Sequence, residues 1–301
     1  MSELARRIIV AVIAAPLAIW VVLAGGAPLA ALLAIVSAVG AWEFFRIARA
    51  SGHRPLDDVG IALAGILPLV IHAHYLGVFT AELAVAAIAV LGILGATIWL
   101  RGVDGHPLGS AALTMFGVVY PAALLGFGYA IRYHDTVRGF DTVGARILSV
   151  GAFGIHVPPG GVLLIFPLIV TWASDIGAFF VGRAVKGPKL IPSVSPGKTI
   201  SGALGGLVAS MIVALFYARG VLAPVAHLGF TPKAALFFGF ALSVAAQVGD
   251  LFESLLKREA GVKDSSRIIP GHGGILDRFD SLLFVLPVAY LLFGWLPIPV
   301  F

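Results

Sequence analysis

The sequence predicts an all-α integral membrane protein: a polytopic bundle of about nine transmembrane helices, with the N-terminus inside and the C-terminus outside. Three observations predict it. Hydrophobic residues fill 59% of the 301 positions and charged residues only 12%, about half of what a soluble domain uses to cover its surface. The mean hydropathy is +1.03, and apolar runs recur at lengths near the ~20 residues that cross a bilayer as a helix. Between the runs, basic residues gather on one side. With no cysteine in the chain, disulfides and thiolate metal sites are excluded. The net charge of +5 fits basic cytoplasmic loops better than nucleic-acid binding.

The opening stretch, MSELARRIIVAVIAAPLAIWVVLAGGA, has the basic start, apolar run and small residues of a secretory signal. Because apolar spans continue to the end of the chain, it reads as a retained first span near 8–25. Further spans fall near 28–48, 59–77, 80–100 and 108–131, then near 161–182, 200–219, 231–252 and 279–297. Helices are the economical choice, since the bilayer core offers no water to unpaired backbone groups and barrel-like alternation is absent. Residues 1–150 thus form an N-terminal region of about five spans, and residues 151–301 a C-terminal region expected to carry the catalytic chemistry. No internal repeat stands out.

With the N-terminus cytoplasmic, fifteen of the 20 basic residues lie inside, and Arg132, Arg138, Arg146, Arg219 and Lys233 lie outside. The positive-inside rule favours this orientation. Two polar segments, 183–199 and 253–278, then face the cytoplasm together.

The first segment, from Ser174 to Gly206, reads SDIGAFFVGRAVKGPKLIPSVSPGKTISGALGG. Asp175 lies in or beside a span, followed by Arg183, Lys186, Lys189 and Lys198. SPGKT has the ending of a phosphate-binding P-loop, but the first glycine of that motif would fall at Pro192, so the P-loop reading fails. What remains is Lys198 with Ser195 and Thr199 beside a glycine-bearing helix start, whose N–H groups can hold an anion. A basic loop that only anchors orientation accounts for this segment equally well.

The second segment runs from Gln247 to Ser281. On a helix, Asp250, Ser254 and Lys257 share one face, with Glu253 beside them. Asp277 and Asp280 flank Arg278, and the PGHGG turn permits close approach of backbone to a ligand. Carboxylates at membrane depth are costly and mark function by default. Oxygen ligands with cations at the mouth suit Mg2+, which takes one or two carboxylates plus substrate phosphates. Carboxylate–arginine pairs that lock helices would also explain Asp280 or Glu253, but not the crowding of charge beside a glycine turn. Glu43, in AWEFFRIARASGHRP, admits a structural and a functional reading equally. His72, His74, His106, His134, His156 and His227 show no metal-ligand spacing. Arg132, Asp135, Arg138 and Asp141 read as solvated residues of an outer loop.

The stretch from Ser254 to Ser281, SLLKREAGVKDSSRIIPGHGGILDRFDS, resembles the signature of the phosphatidate cytidylyltransferases, the CDP-diacylglycerol synthases. The blocks QVGD and SDIGAFFVGR with SPGKT are similar to others in that family. The resemblance is firm over about the last 130 residues and looser before them, where WEFFR and the layout of spans carry it. Ile200 and Ser201 depart from it, standing where the family often has an aromatic residue and an acid or amide.

The resemblance implies that CTP and phosphatidic acid give CDP-diacylglycerol and pyrophosphate, in phospholipid synthesis at the bacterial inner membrane. It implies a Mg2+-dependent nucleotidyltransferase with a cytoplasm-facing site, membrane lipids around it, room for a second cation, no nucleic-acid partner and, by analogy, a homodimer. Asp250 and Asp277 would hold Mg2+, while Lys198, Lys257, Arg258 and Arg278 would neutralise phosphates. Gly271, His272, Gly273 and Gly274 would let the nucleotide reach backbone, and Ser195, Thr199 and Ser254 would complete substrate binding. Asp280 would orient a ligand, and Asp175 would share the cavity. The chemistry is consistent: the lipid phosphate is already ionised, so cations rather than a strong base lower the barrier. Rival readings are another CTP-dependent membrane enzyme, such as a polyprenol kinase or a CDP-archaeol synthase relative, and a secondary transporter. Release of pyrophosphate separates a cytidylyltransferase from the transporter.

Overall fold

The computed structural model describes residues 3–78, 82–137, 149–150, 155–269 and 273–299. Ten α-helices account for most of them: α1 (Glu3–Ala24), α2 (Gly26–Ala50), α3 (Asp57–Tyr75), α4 (Glu82–Arg101), α5 (Pro107–Val118), α6 (Leu124–Arg132), α7 (Pro159–Val185), α8 (Ile200–Tyr217), α9 (Pro232–Glu259) and α10 (Leu276–Phe293). The nine apolar runs of the sequence each fall largely on these helices. Among the described residues, seven helical stretches are long and apolar enough to cross a membrane. They begin at Gly26, Asp57, Leu83, Pro107, Pro159, Ile200 and Pro232. The helices at the two ends, α1 and α10, cover the other two runs, α10 beginning with the charged residues Asp277, Arg278 and Asp280.

Two helices widen into π turns, at Val119–Ala123 between α5 and α6 and at Ala218–Ala226 after α8. Each contains a proline, Pro121 and Pro224, whose missing N–H and ring bulk disfavour the ordinary α turn. Short antiparallel strand pairs complete the fold: β1 (Ser149–Val150) with β2 (Ile155–His156), β3 (Lys189–Ile191) with β4 (Ser195–Thr199), and β5 (Leu228–Gly229) with β6 (Ile298–Pro299).

The chain divides into two compact units that interleave in sequence. The first comprises residues 1–18, 26–129 and 255–279. In it Phe45 of α2 lies over Gly60 of α3 and Gly117 of α5, where an added Cβ would stand 2.3 and 2.2 Å from ring atoms. Phe116 and Tyr120 stack on each other at 5.4 Å, and Phe44 meets the first tilted at 5.3 Å and the second edge-on at 6.3 Å. The amide of Leu56 donates to Thr114 Oγ1 at 2.8 Å, fixing where α3 begins against α5.

The second unit comprises residues 19–25, 130–254 and 280–301. Small residues bring α7 and α8 together: a Cβ on Gly177 would lie 2.6 Å from the Ala209 methyl, and one on Gly206 2.8 Å from the Ser174 carbonyl. Such close backbone approach is how apolar helices gain contact where lipid offers no competing hydrophobic effect. Phe166 stacks between Tyr217 and Phe238, at 4.8 and 4.5 Å. Arg132 corrects the sequence reading. It is buried instead of solvated, and its guanidinium donates to the carbonyls of Val22 and Leu23, each at 3.2 Å. The last carbonyls of α1 have no partners within the helix, and in apolar surroundings a buried arginine supplies them. Arg138, Asp141 and Arg146 lie outside the described residues.

Candidate functional site

In the first unit, the end of α9 faces the start of α10. Lys257 Nζ donates to Asp277 Oδ1 at 2.6 Å. The other Asp277 oxygen accepts from Ser265 N at 3.0 Å, Ser265 Oγ at 2.9 Å and Gly274 N at 2.8 Å. Both side chains of the ion pair are nearly buried, at 11% and 8% exposure. Asp277 stands in the first turn of α10, ahead of residues 279–297 that the sequence reads as the last span. Burial works to raise its carboxyl, but the hydrogen bonds from Lys257, Gly274 and Ser265 and the lysine's charge outweigh it and hold the group below its ordinary range.

Behind this pair lies Glu43 of α2, fully buried. It accepts from Ser265 Oγ at 3.0 Å, Ser266 Oγ at 2.5 Å, Ile275 N at 3.0 Å and Leu276 N at 2.6 Å. The equal choice left by the sequence is thereby narrowed: among the described residues, these donors to Glu43 all belong to the 265–276 segment. Gly274 fits only as glycine, since a Cβ would stand 2.1 Å from Ser265 Oγ and 2.4 Å from Glu43 Oε1. Gly273 has φ +80°, a conformation that favours glycine. The side chains of Arg258 and Arg278 are exposed, and an Arg258 terminal nitrogen donates to the Val262 carbonyl at 3.4 Å. Pro270, Gly271 and His272 lie outside the described residues.

The second unit holds a cavity of about 510 Å3, with Asp175, Arg183, Lys198, Thr199, Gln247 and Asp250 among its lining residues. Lys198 pairs with Asp250 at 2.5 Å. The SPGKT segment forms strand β4, and its last residue, Thr199, caps α8 by accepting from Gly202 N at 3.1 Å. Ser195 begins that strand, and the Ser201 hydroxyl donates to the Lys186 carbonyl, tying the start of α8 to the end of α7. Gln247 donates to the Ala203 carbonyl at 3.2 Å and to Ser243 Oγ at 3.1 Å. Asp280 accepts from the amide of Ser281 at 2.6 Å, and its carbonyl would stand 2.6 Å from a Cβ on Gly249. Ser254 and Glu253 are buried.

The structure therefore gathers Lys257, Asp277, Gly273 and Gly274 in one unit, and Asp175, Lys198, Thr199 and Asp250 in the other. Sequence reasoning left Glu43, Ser265, Ser266 and Gln247 without a role. Their signals were a carboxylate inside an apolar span, a serine pair before the glycine turn, and an amide one helical turn before Asp250.

Among the described residues, no group of three or more His, Asp or Glu is arranged to hold a metal ion. Asp175 and Asp250 line one cavity, a donor set that fits Mg2+ completing its shell on water and substrate phosphates. Asp277 is differently placed, its two oxygens already accepting four hydrogen bonds.

Over residues 5–296 the chain matches the profile of the Cytidylyltransferase family. It is 30% identical over 293 residues to the phosphatidate cytidylyltransferase of Bacillus subtilis, covering 97% of this chain and 98% of that protein. Against the phosphatidate cytidylyltransferase of Synechocystis it is 31% identical over 301 residues, covering 95% and 94% of the two chains. Against that of Helicobacter pylori 26695, identity is 43% over 181 residues, covering 60% and 63%. The likeness thus extends through the N-terminal helices, where the sequence alone showed it loosely.

Proposed function

The chain belongs to the Cytidylyltransferase family, and from that premise we propose that it is a phosphatidate cytidylyltransferase, converting CTP and phosphatidic acid to CDP-diacylglycerol and pyrophosphate. The observation that carries this reading is the match along 97% of the chain to a protein of that name. The local geometry supports it. Each unit presents lysines held by carboxylates, and the first adds a glycine turn of the kind that phosphate chemistry uses.

In the reaction, an ionised oxygen of the lipid phosphate attacks the α-phosphorus of CTP. A new P–O bond forms, the α–β bridge breaks, and pyrophosphate leaves with the bonding pair. No proton need be removed from the nucleophile, so the protein's task is to hold two polyanions and spread their charge. Lys198 and Arg183 in the cavity of the second unit, and Lys257, Arg258 and Arg278 in the first, are the cations assigned to phosphate oxygens. Asp277 and Asp250 pair with Lys257 and Lys198 and fix where they point. Mg2+, when bound, would neutralise phosphate oxygens, and Asp250 with Asp175 are the carboxylates best placed to hold it. The proposal extends to a site facing the cytoplasm at the bacterial inner membrane, supported by the distribution of basic residues, and to a homodimer, by analogy with the family.

The test is pyrophosphate release by detergent-purified protein given CTP, Mg2+ and phosphatidic acid. Lipid-dependent release is expected. Pyrophosphate release only with an ether-linked phosphatidate would replace the lipid assignment, CDP release with a polyprenol would make the protein a kinase, and neither product from folded protein would remove the enzyme reading.

A further inference from the structure

A fully buried carboxylate is costly unless its lone pairs are filled. Glu43 meets that cost with two hydroxyls and two backbone amides, and among the described residues none of these donors is a cation. The identity of the donors is informative. The amides of residues 274, 275 and 276 are consecutive, at a helix start where N–H groups lack partners within the helix. Gly274 N goes to Asp277, while Ile275 N and Leu276 N go to Glu43. Glu43 therefore caps α10 from another helix, 232 and 233 residues away in sequence.

Ser265 connects the two carboxylates. Its hydroxyl lies 3.0 Å from Glu43 Oε2 and 2.9 Å from Asp277 Oδ2, and with one proton it can donate to only one of them at a time. Ser266 contacts Glu43 but makes no bond to Asp277; its hydroxyl oxygen otherwise accepts from Ile268 N at 3.2 Å. The two serines thus share one anchor and differ in whether they reach the ion pair.

We propose that Glu43 is a positioning residue that acts through Ser265, and through the amides it holds at the start of α10, to set the Asp277–Lys257 pair. The kinetic half of this inference rests on the proposed function, which gives Lys257 its phosphate-binding role. The geometric half does not.

The experiment compares wild type with Glu43→Gln, Ser265→Ala, Ser266→Ala and the Glu43→Gln/Ser265→Ala double variant, all as full chains in detergent. Two quantities are read: the rate at which an amine-acetylating reagent labels Lys257, by peptide mass spectrometry, and kcat with KM for CTP. Glu43→Gln is expected to speed Lys257 labelling and to lower kcat about tenfold, the scale of one lost hydrogen bond to a charged group. Ser265→Ala should give most of that change, and Ser266→Ala a clearly smaller one. The double variant should be no worse than the stronger single. Equal effects of Ser265→Ala and Ser266→Ala, or additive effects in the double, would show that Glu43 only anchors the loop and would overturn the proposal. Unchanged Lys257 labelling in Glu43→Gln overturns it as well. If wild type releases no pyrophosphate, the functional reading falls while labelling still decides the positioning role. If Glu43→Gln fails to fold, the contrast between the two serine variants decides it.

Discussion

Asp250, Asp277, Lys198 and Lys257 stand out because charge is rare in so apolar a chain, but what each touches depends on residues remote in sequence. Glu43 and Ser265 are 222 positions apart, and no local pattern announces that they meet. The Gly274 notch yields a sharp prediction. A Cβ there would fall 2.1 Å from Ser265 Oγ and 2.4 Å from Glu43 Oε1, so Gly274→Ala must displace the hydroxyl, the carboxylate or the turn. Loss of pyrophosphate release by more than about tenfold is expected, from overpacking of about 1–3 kcal/mol at that point, with helical content by circular dichroism retained. Asp277 yields a second. Asp277→Asn leaves Lys257 buried without its counter-charge, a change of about 3–5 kcal/mol for a fully buried pair and less here, where both groups keep some exposure. Because the folded carboxyl is held below its unfolded value, it stabilises the fold above about pH 4 and that contribution is lost as pH falls through the folded value. Thermal unfolding in detergent should therefore show a lower Tm for Asp277→Asn at neutral pH. The gap to wild type should narrow as pH drops below about 4. A gap that stays constant with pH would remove the ion pair as the cause.

At the scale of elements, helices were legible because twenty-residue apolar runs leave the backbone no alternative in a bilayer. The β3–β4 hairpin was not. Its segment contains Pro188, Pro192 and Pro196 and no alternation of apolar and polar residues, and its register is interrupted between Lys189 and Ile191. Nothing at strand level predicts it; the Thr199 cap and the Ser201 bond to the Lys186 carbonyl hold it. At the departure from the family pattern, the Ser201 side chain is engaged with backbone. The α7–α8 contact was written in the sequence as small residues, Gly177, Gly202, Gly205, Gly206 and Ala209, without a sign of which helix they would meet. If close approach of these helices carries stability, Gly177→Val should lower Tm by several degrees, with a cost of about 1–3 kcal/mol. Gly220→Ala, where no atom lies within 4 Å of an added Cβ, should leave Tm near wild type. Similar losses in both variants would show that glycine flexibility, not packing, is at stake.

At the scale of the whole molecule, the chain forms two compact units that interleave in sequence. The helix α9 passes from the second unit to the first between Ser254 and Leu255, and α10 passes back between Phe279 and Asp280. Asp250 and Lys257 therefore lie on one continuous helix yet belong to different units, which no reading by sequence halves can express. Orientation is the remaining whole-molecule property, and the chain offers a clean way to measure it. It contains no cysteine, so a single introduced thiol is the only target for a maleimide. Positive-inside bias places the α2–α3 connection, with Arg49 and Arg54, in the cytoplasm, and the start of α9, with Lys233, outside. His53 and Thr231 are both exposed, so substitution there disturbs no core. In intact cells, a membrane-impermeant maleimide should label Thr231→Cys and spare His53→Cys until the membrane is permeabilised. The reverse pattern would place the basic face outside. CTP arrives from the cytosol, so that result would separate the phosphate-binding lysines from their substrate and refute the proposed function together with the orientation.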